Sequence, residues 1–203
     1  MQDNLRLDGH ECVLGRTQSG KTYYAVNARA RVWRGAVLFF NPQGFPAPVD
    51  FISAAGKDDL SGIAATLRRS LRLSYVPSDN DEVAEKELSV LVDMAFSATL
   101  PKHGLLFIAD EAQDFPNPLR RIARRGLSRG VTGVFISQRP AELHNTLLTQ
   151  AVRHVIFESS WESQYFKRYG LDAEKIEKLL RQSPKFSYVT VENGCINGPY
   201  RIK

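Results

Sequence analysis

The segment GRTQSGKT, residues 15–22, constrains the fold of this chain more than any other feature of its sequence. It matches the pattern G-x-x-x-x-G-K-[ST], whose glycines let the backbone curl until several N–H groups point at one centre. An apolar run precedes it, and residues 21–34 follow with Val26, Ala30 and Trp33 on one helical face. The sequence therefore predicts a phosphate-binding loop between a strand and a helix.

The residue types of this loop indicate how it would hold a nucleotide. Lys21 brings a compact positive charge to the β- and γ-phosphates, and Thr22 offers a hydroxyl to Mg²⁺. The helix that follows adds the positive end of its dipole. We expect ATP and Mg²⁺ as ligands, bound through Gly15, Arg16, Thr17, Gln18, Ser19, Gly20, Lys21 and Thr22.

A second motif is LLFIADEAQDF, in which an apolar strand ends in two acidic residues. Asp110 at the strand end is predicted to hold Mg²⁺, and Glu111 to polarise the attacking water as general base. Two adjacent acids also occur at solvated strand ends. Asp114 lies beyond the strand end and is a competing candidate for a catalytic role.

The stretch VFISQRP, residues 134–140, predicts a further strand that ends in polar residues. In P-loop ATPases of the additional-strand type, this strand lies between the P-loop strand and the strand that carries the acidic pair. We therefore expect Gln138 to face the γ-phosphate, where a neutral donor and acceptor suits the task and a carboxylate would repel the phosphate. The alternative is a polar strand end that faces water.

Six arginines and no acidic residue occur between Phe115 and Ala141; they are Arg120, Arg121, Arg124, Arg125, Arg129 and Arg139. Like charges four positions apart weaken an isolated helix, so an anionic partner would explain them. One candidate partner is the ATP of a neighbouring subunit, with Arg125 or Arg129 as a finger supplied in trans. A DNA backbone and a solvated basic face are the other two interpretations.

Short apolar runs alternate with helical patterns along the rest of the chain, which predicts a parallel α/β sheet. Ser78 or Asp79 is expected to cap a helix that ends at Ser97, and Asp172 to cap another. A short helix is expected over Leu119–Leu127, and a terminal hairpin turning at residues 193–194. Residues 45–62 carry no clear assignment.

The amino-acid composition narrows the classes of protein to which this chain can belong. Lys and Arg number 27 against 22 for Asp and Glu, and this mildly basic balance permits a nucleic-acid partner. The cysteines, Cys12 and Cys195, are too far apart in sequence to suggest a zinc motif, and we expect no disulfide. No apolar run approaches the roughly 20 residues of a membrane span, and the first nine residues are too polar for a signal peptide.

On the strength of GRTQSGKT, LLFIADEAQDF and above all RGVTGVFISQRP, the chain resembles the HerA/FtsK superfamily of P-loop ATPases over about Glu11 to Leu180. The resemblance implies a RecA-like α/β core of the additional-strand (ASCE) type, with a mainly parallel sheet flanked by helices. It also implies a homo-oligomeric ring, usually a hexamer, and translocation of double-stranded DNA. We expect one P-loop ATPase domain over residues 1–203, and the C-terminal β-hairpin is the last part of this domain.

The small size directs the resemblance to one subtype, the genome-packaging ATPases of internal-membrane-containing icosahedral DNA viruses. Capsid or membrane-vertex proteins would then be partners, and the protein would occur in the virion or the host cytoplasm. The chain departs from the family pattern at one position that concerns the arginine finger. Many relatives carry an arginine where this chain has Leu127.

Three other functions remain open from the sequence. They are a cytosolic ATPase of conjugation, secretion or filamentous-phage assembly, a small P-loop kinase, and a nucleotide-gated binding protein without turnover. DNA-contacting residues are not assigned; Lys57, Arg68, Arg69 and Arg72 are only basic positions near loops.

Overall fold

The computed structural model describes residues 9–56, 63, 65, 66, 69, 71–97, 103–158 and 171–202. Lys57 and Arg68, two of the basic loop positions, lie outside these residues. The strands are β1 (His10–Leu14), β2 (Ala36–Phe40), β3 (Phe51–Ala55), β4 (Arg72–Val76), β5 (Leu105–Ala109), β6 (Val131–Ser137), β7 (Ala151–Phe157), β8 (Ser187–Glu192) and β9 (Cys195–Arg201).

All nine strands belong to one sheet in the order β3-β4-β2-β5-β6-β1-β7-β8-β9. The strands from β3 to β7 in this order pair in parallel, and the last two pairings are antiparallel. Strands β1, β2 and β5 are buried along their whole length. β2 and β5 are the near-continuous apolar runs expected of a parallel sheet, whereas β1 also buries His10 and Glu11. The predicted position of β6 between β5 and β1 is confirmed.

Helices connect the parallel strands. The first, α1, has three consecutive parts, Lys21–Tyr23, Tyr24–Arg29 with π-type hydrogen bonds, and Ala30–Val32. The others are α2 (Asp81–Ser97), α3 (Pro116–Arg125), α4 (Asn145–Gln150) and α5 (Ala173–Arg181). A 3₁₀ turn, Leu127–Arg129, separates α3 from β6. Within the described ranges, no helix is both long and apolar enough to cross a membrane.

The helices pack on both faces of the sheet and close two large cores, and α5 closes a third, smaller one with β7 and β8. On one face, Leu88 of α2, Leu119 of α3 and Leu147 of α4 join alternate residues of the central strands. On the other face, Val26 of α1 packs with the intervening residues of the same strands. Val13 therefore faces α1, whereas its neighbours face the opposite helices. This layering is the α/β fold that the alternating sequence pattern predicts.

Several local expectations can be compared with the structure. Asp172 caps α5 by accepting a hydrogen bond from the Lys175 N–H, as expected. The cap of α2 is Asn80, which accepts from the Val83 N–H at 3.1 Å, so the expected Ser78 or Asp79 was wrong. The Ser78 hydroxyl instead donates to the Glu87 carboxylate.

The remaining differences concern short elements. The unassigned stretch contains the edge strand β3, and the short helix α4 was not expected. The arginine-rich helix begins at Pro116 instead of Leu119. The terminal hairpin is confirmed, and its turn residues Asn193 and Gly194 both have positive φ, as a two-residue turn of this kind requires.

Candidate nucleotide-binding site

Three motifs that are far apart in sequence meet at the carboxyl edge of the sheet. Leu14 of β1 pairs with Ser137 of β6, and Ala109 of β5 pairs with Phe135 of the same strand. The residues that follow these strand ends are the P-loop, Asp110 and Gln138. Parallel pairing therefore places all three motifs side by side, where α/β sheets bind ligands.

Neighbouring strand ends hold the P-loop in its curled shape. The Gly15 N–H donates to the Ser137 carbonyl at 3.3 Å, and the loop contains two residues with positive φ, Gln18 and Gly20. A Cβ at Gly15 would lie 2.7 Å from the Cβ of Phe157, so only glycine fits against β7. These contacts explain why both glycines of the motif are needed in this fold.

Lys21 points into the curve of the loop. Its side chain is only 8% exposed, and its Nζ donates to the Arg16 carbonyl oxygen at 2.8 Å. Burial lowers the pKa of the ammonium, although the carboxylates of Asp110 and Glu111 act in the opposite direction. A buried, poorly hydrated cation in a P-loop is one that an anion such as a phosphate would stabilise.

Thr22 and Asp110 meet across the site. The Thr22 hydroxyl donates to Asp110 Oδ2 at 2.7 Å, and the Glu111 N–H donates to Asp110 Oδ1 at 2.9 Å. Burial raises the pKa of the Asp110 carboxyl, and these two hydrogen bonds oppose that effect. Mg²⁺ prefers oxygen ligands and in phosphate sites takes only one or two from carboxylates, so this hydroxyl and carboxylate fit Mg²⁺.

Glu111 is held by two amide side chains. Its carboxylate accepts from Gln138 Nε2 at 2.8 Å and from Gln113 Nε2 at 2.5 Å, and its own φ is +49°. The Gln138 Oε1 in turn accepts a hydrogen bond from the Thr17 hydroxyl. Gln138 thus links the P-loop directly to Glu111. Sequence reasoning missed Gln113; its spacing of two residues after Glu111 was the only available signal.

Asp114, the competing candidate for a catalytic role, forms surface ion pairs instead. Its carboxylate pairs with the Arg139 guanidinium at 2.5 Å and also accepts from Gln113 at 3.2 Å. Arg139 pairs as well with Glu142 at 2.7 Å. Asp114 is exposed and belongs to this surface ion-pair network, one step outside the cluster around Glu111.

The structure does not bring Arg125 and Arg129 to this site. Arg125 ends α3, and Arg129 lies in the turn before β6, at the amino edge of the sheet. Because β6 has seven residues, roughly 20 Å separates Arg129 from Gln138 along the strand. Both arginines are exposed. Any contact they make with a nucleotide must therefore be with the site of another subunit.

Comparisons with known proteins agree on the fold. No model of a known protein family matches the sequence, and no curated protein matches it. Among solved structures, the genome packaging NTPase B204 of Sulfolobus turreted icosahedral virus 2, in complex with ATP-gammaS, is similar with a TM-score of 0.75. The two chains are 15% identical, and the match covers 99% of this chain and 100% of that one.

Two ATPases of other systems are similar over a smaller share of their length. EssC from Geobacillus thermodenitrificans, ATPases 2 and 3, has a TM-score of 0.50 and 12% identity, and the match covers 93% of this chain and 38% of that chain. EccC from Thermomonospora curvata, in complex with a signal sequence peptide, also has a TM-score of 0.50, with 16% identity and 90% and 36% coverage.

The chain therefore has the fold of the P-loop NTPases, with an additional strand between β1 and β5 and a C-terminal antiparallel hairpin. The similar structures, a packaging NTPase and the EssC and EccC ATPase domains, agree with the fold that the resemblance to the HerA/FtsK superfamily implies.

The P-loop geometry predicts unequal effects of two Gly→Ala substitutions. Gly20 has φ +103°, and an added Cβ would lie 3.0 Å from Ile202; Gly44 has φ +61° and nothing within 4 Å. Both Gly20→Ala and Gly44→Ala are expected to cost roughly 1–2 kcal/mol in the free energy of unfolding, because of backbone strain. Only Gly20→Ala is expected to weaken ATP binding, by about tenfold or more. Urea unfolding and calorimetric titration measure the two effects, and equal loss of binding in Gly44→Ala would contradict the assignment.

Proposed function

We propose that this protein is an ATP-hydrolysing motor that translocates double-stranded DNA and packages a viral genome into a preformed capsid. The observation that carries the proposal is the hydrogen-bonded link Thr17–Gln138–Glu111, which lies beside the Thr22–Asp110 pair. A simple binding protein does not need an acid positioned by the P-loop's own contacts. Since all strands from β1 to β9 share one sheet, we also propose a single ATPase domain over residues 1–203.

Each residue of the cluster has a proposed role. The P-loop backbone N–H groups and Lys21 bind the phosphates of ATP, and Lys21 exchanges its Arg16 carbonyl partner for phosphate oxygens. Thr22 and Asp110 hold Mg²⁺, which when bound neutralises charge on the β- and γ-phosphates. Glu111 accepts a proton from the attacking water, and Gln138 contacts the γ-phosphate or that water.

Substitutions at Lys21 and Glu111 are expected to affect ATP binding and ATP turnover separately. Lys21→Ala is expected to lose ATP binding, because the loop then lacks its cation. Glu111→Gln is expected to bind ATP but to hydrolyse it about 10²- to 10⁴-fold more slowly, because an amide cannot take the proton. Asp114→Asn, at the exposed competing acid, is expected to retain turnover. Binding titrations and steady-state hydrolysis test all three, and rapid hydrolysis by Glu111→Gln would reject it as the base.

DNA as the moved substrate is proposed from fold and charge together. The similar packaging NTPase matches over its whole length, whereas the EssC and EccC chains match over about a third. The formal net charge is +5, and Arg124, Arg125 and Arg129 are exposed on one helix and the turn after it. Such a surface suits a DNA backbone or another anionic partner.

The experiment for DNA coupling is steady-state ATP hydrolysis with and without double-stranded DNA over a salt series. We expect stimulation by DNA that fades as salt rises, because contacts to phosphates release counterions. Glu111→Gln controls for contaminating ATPases. Hydrolysis that is indifferent to DNA at every salt concentration would contradict DNA translocation and favour the secretion function.

We further propose a homo-oligomeric ring, with hexamer as the expected size, in which Arg125 or Arg129 reaches the neighbour's ATP. Both arginines lie at the edge of the sheet opposite their own P-loop, which is what a finger supplied in trans requires. Leu127, at the position of the usual family arginine, is 49% exposed between them. Capsid or membrane-vertex proteins are the proposed docking partners of this ring, in the virion or the host cytoplasm.

Mixing variants tests the trans arrangement. Lys21→Ala keeps its arginines but binds no ATP, and the finger variant, Arg125→Ala or Arg129→Ala, keeps its P-loop. Each is expected to be at least about tenfold less active alone, and a mixture to recover activity, because one subunit completes the site of the other. Arg121→Ala is the control, since Arg121 pairs with Asp93 within its own chain at 2.5 Å. Full activity of both arginine variants would contradict a finger at these positions.

A second candidate function is an ATPase of protein secretion, favoured by the fold similarity to EssC and EccC. A small P-loop kinase is less well supported, because β6 separates the P-loop strand from the strand that ends in Asp110. That separation is the additional-strand arrangement expected of the motor ATPases.

A further inference from the structure

A pocket of about 180 Å³ opens beside the P-loop. Because β7 and β8 lie on the other side of β1 from β6 and β5, this pocket is on the side away from Asp110 and Glu111. One wall consists of the loop residues Arg16, Gln18 and Ser19, and the other comes from the segment after α5 that includes Lys185 and Phe186. Pockets that hold whole drug-sized ligands measure roughly 300–1,000 Å³. This pocket is smaller and suits a single ring system.

Phe186 is the distinctive residue of this pocket. Its ring is 43% exposed. It also lies next to the P-loop, because a Cβ added at Gly20 would be 3.4 Å from the ring. Lys185 Nζ is 5.2 Å from the ring centroid. An exposed aromatic ring beside a phosphate-binding loop, with a cation close by, offers a stacking surface for a flat aromatic ligand.

The backbone at Phe186 is held in an unusual conformation. Its φ is +67°, a region that bulky residues avoid, and its carbonyl oxygen accepts from the Ile202 N–H at 3.3 Å. The neighbouring Ser187 begins β8, which pairs with β7. Strain of this kind persists where the surrounding structure imposes it, and it occurs often at ligand sites. Here it presents the ring beside the P-loop.

We propose that this pocket binds the base of the nucleotide and that Phe186 stacks on it. The inference rests on the proposed function, because it takes the phosphates to lie on the P-loop. From there the rest of the nucleotide must leave the loop on the side away from the hydrolytic cluster, and the pocket is adjacent on that side. Stacking uses the face of the base, so Phe186 contributes affinity without contacting the phosphates.

The experiment compares ATPγS with inorganic tripolyphosphate, each titrated calorimetrically with Mg²⁺ present. Phe186→Asn removes the ring but keeps a residue type that tolerates positive φ, so the backbone is preserved. We expect this variant to bind ATPγS about tenfold more weakly and tripolyphosphate unchanged. Phe186→Tyr keeps an aromatic ring and is expected to bind both ligands as the wild type does.

Tyr23→Ala is the matched control, since Tyr23 is an aromatic residue on α1 with the same 43% exposure. It is expected to leave the ratio of the two affinities unchanged. An unchanged ratio in Phe186→Asn, or a selective loss of ATPγS in Tyr23→Ala instead, would overturn the inference while leaving the P-loop assignment intact. Wild-type protein that binds neither ligand would refute the nucleotide site itself, and this inference with it.

Discussion

The parallel pairing of β6 with both β5 and β1 is the constraint on which the rest of the site depends. Its register makes three strands end within two residues of one another, with Ser137 beside Leu14 and Phe135 beside Ala109. Each strand end then delivers one chemical group: a curled loop, an acidic pair and an amide. A shift of one residue in β6 would point Gln138 to the opposite face of the sheet and break its contacts to Thr17 and Glu111. Core packing on both faces prevents that shift.

A second constraint is a buried cluster of charges around β1, the strand that leads into the P-loop. The Glu11 carboxylate is fully buried in β1 and lies 3.7 Å from the guanidinium groups of both Arg29 in α1 and Arg153 in β7. Arg153 also pairs with Glu192 of β8. Buried ion pairs add little net stability, but removing one partner leaves an uncompensated charge. This cluster therefore fixes the strand before the P-loop and the helix after it in one relative position.

The sequence predicted those parts of the molecule that have strong local signals. The P-loop spacing, the buried run before Asp110 and the Asn193-Gly194 turn each specify a backbone shape by themselves, and all three strand and turn assignments hold. The element β3 was missed because it is a five-residue edge strand within a stretch rich in Pro, Gly and Ala, and only its first residue, Phe51, is buried. Gln113 and Phe186 were missed for other reasons. Gln113 lies two residues from its partner Glu111 and looks like one more polar residue after a strand end, whereas the importance of Phe186 comes from the distant loop residue Gly20.

The hydrogen bonds around Glu111 also bear on when the proposed base can act. Gln138 has one amide group, and its Nε2 already donates to Glu111 while its Oε1 accepts from Thr17. The Nε2 carries a second N–H, which can donate to a γ-phosphate while the first stays on Glu111, and Gln113 donates to the other carboxylate oxygen. Both oxygens of Glu111 therefore keep an amide donor, which holds the carboxylate in its orientation. In the proposed motor, an arriving γ-phosphate would therefore contact the same amide that positions the base, so Gln138 would couple Glu111 to the presence of substrate.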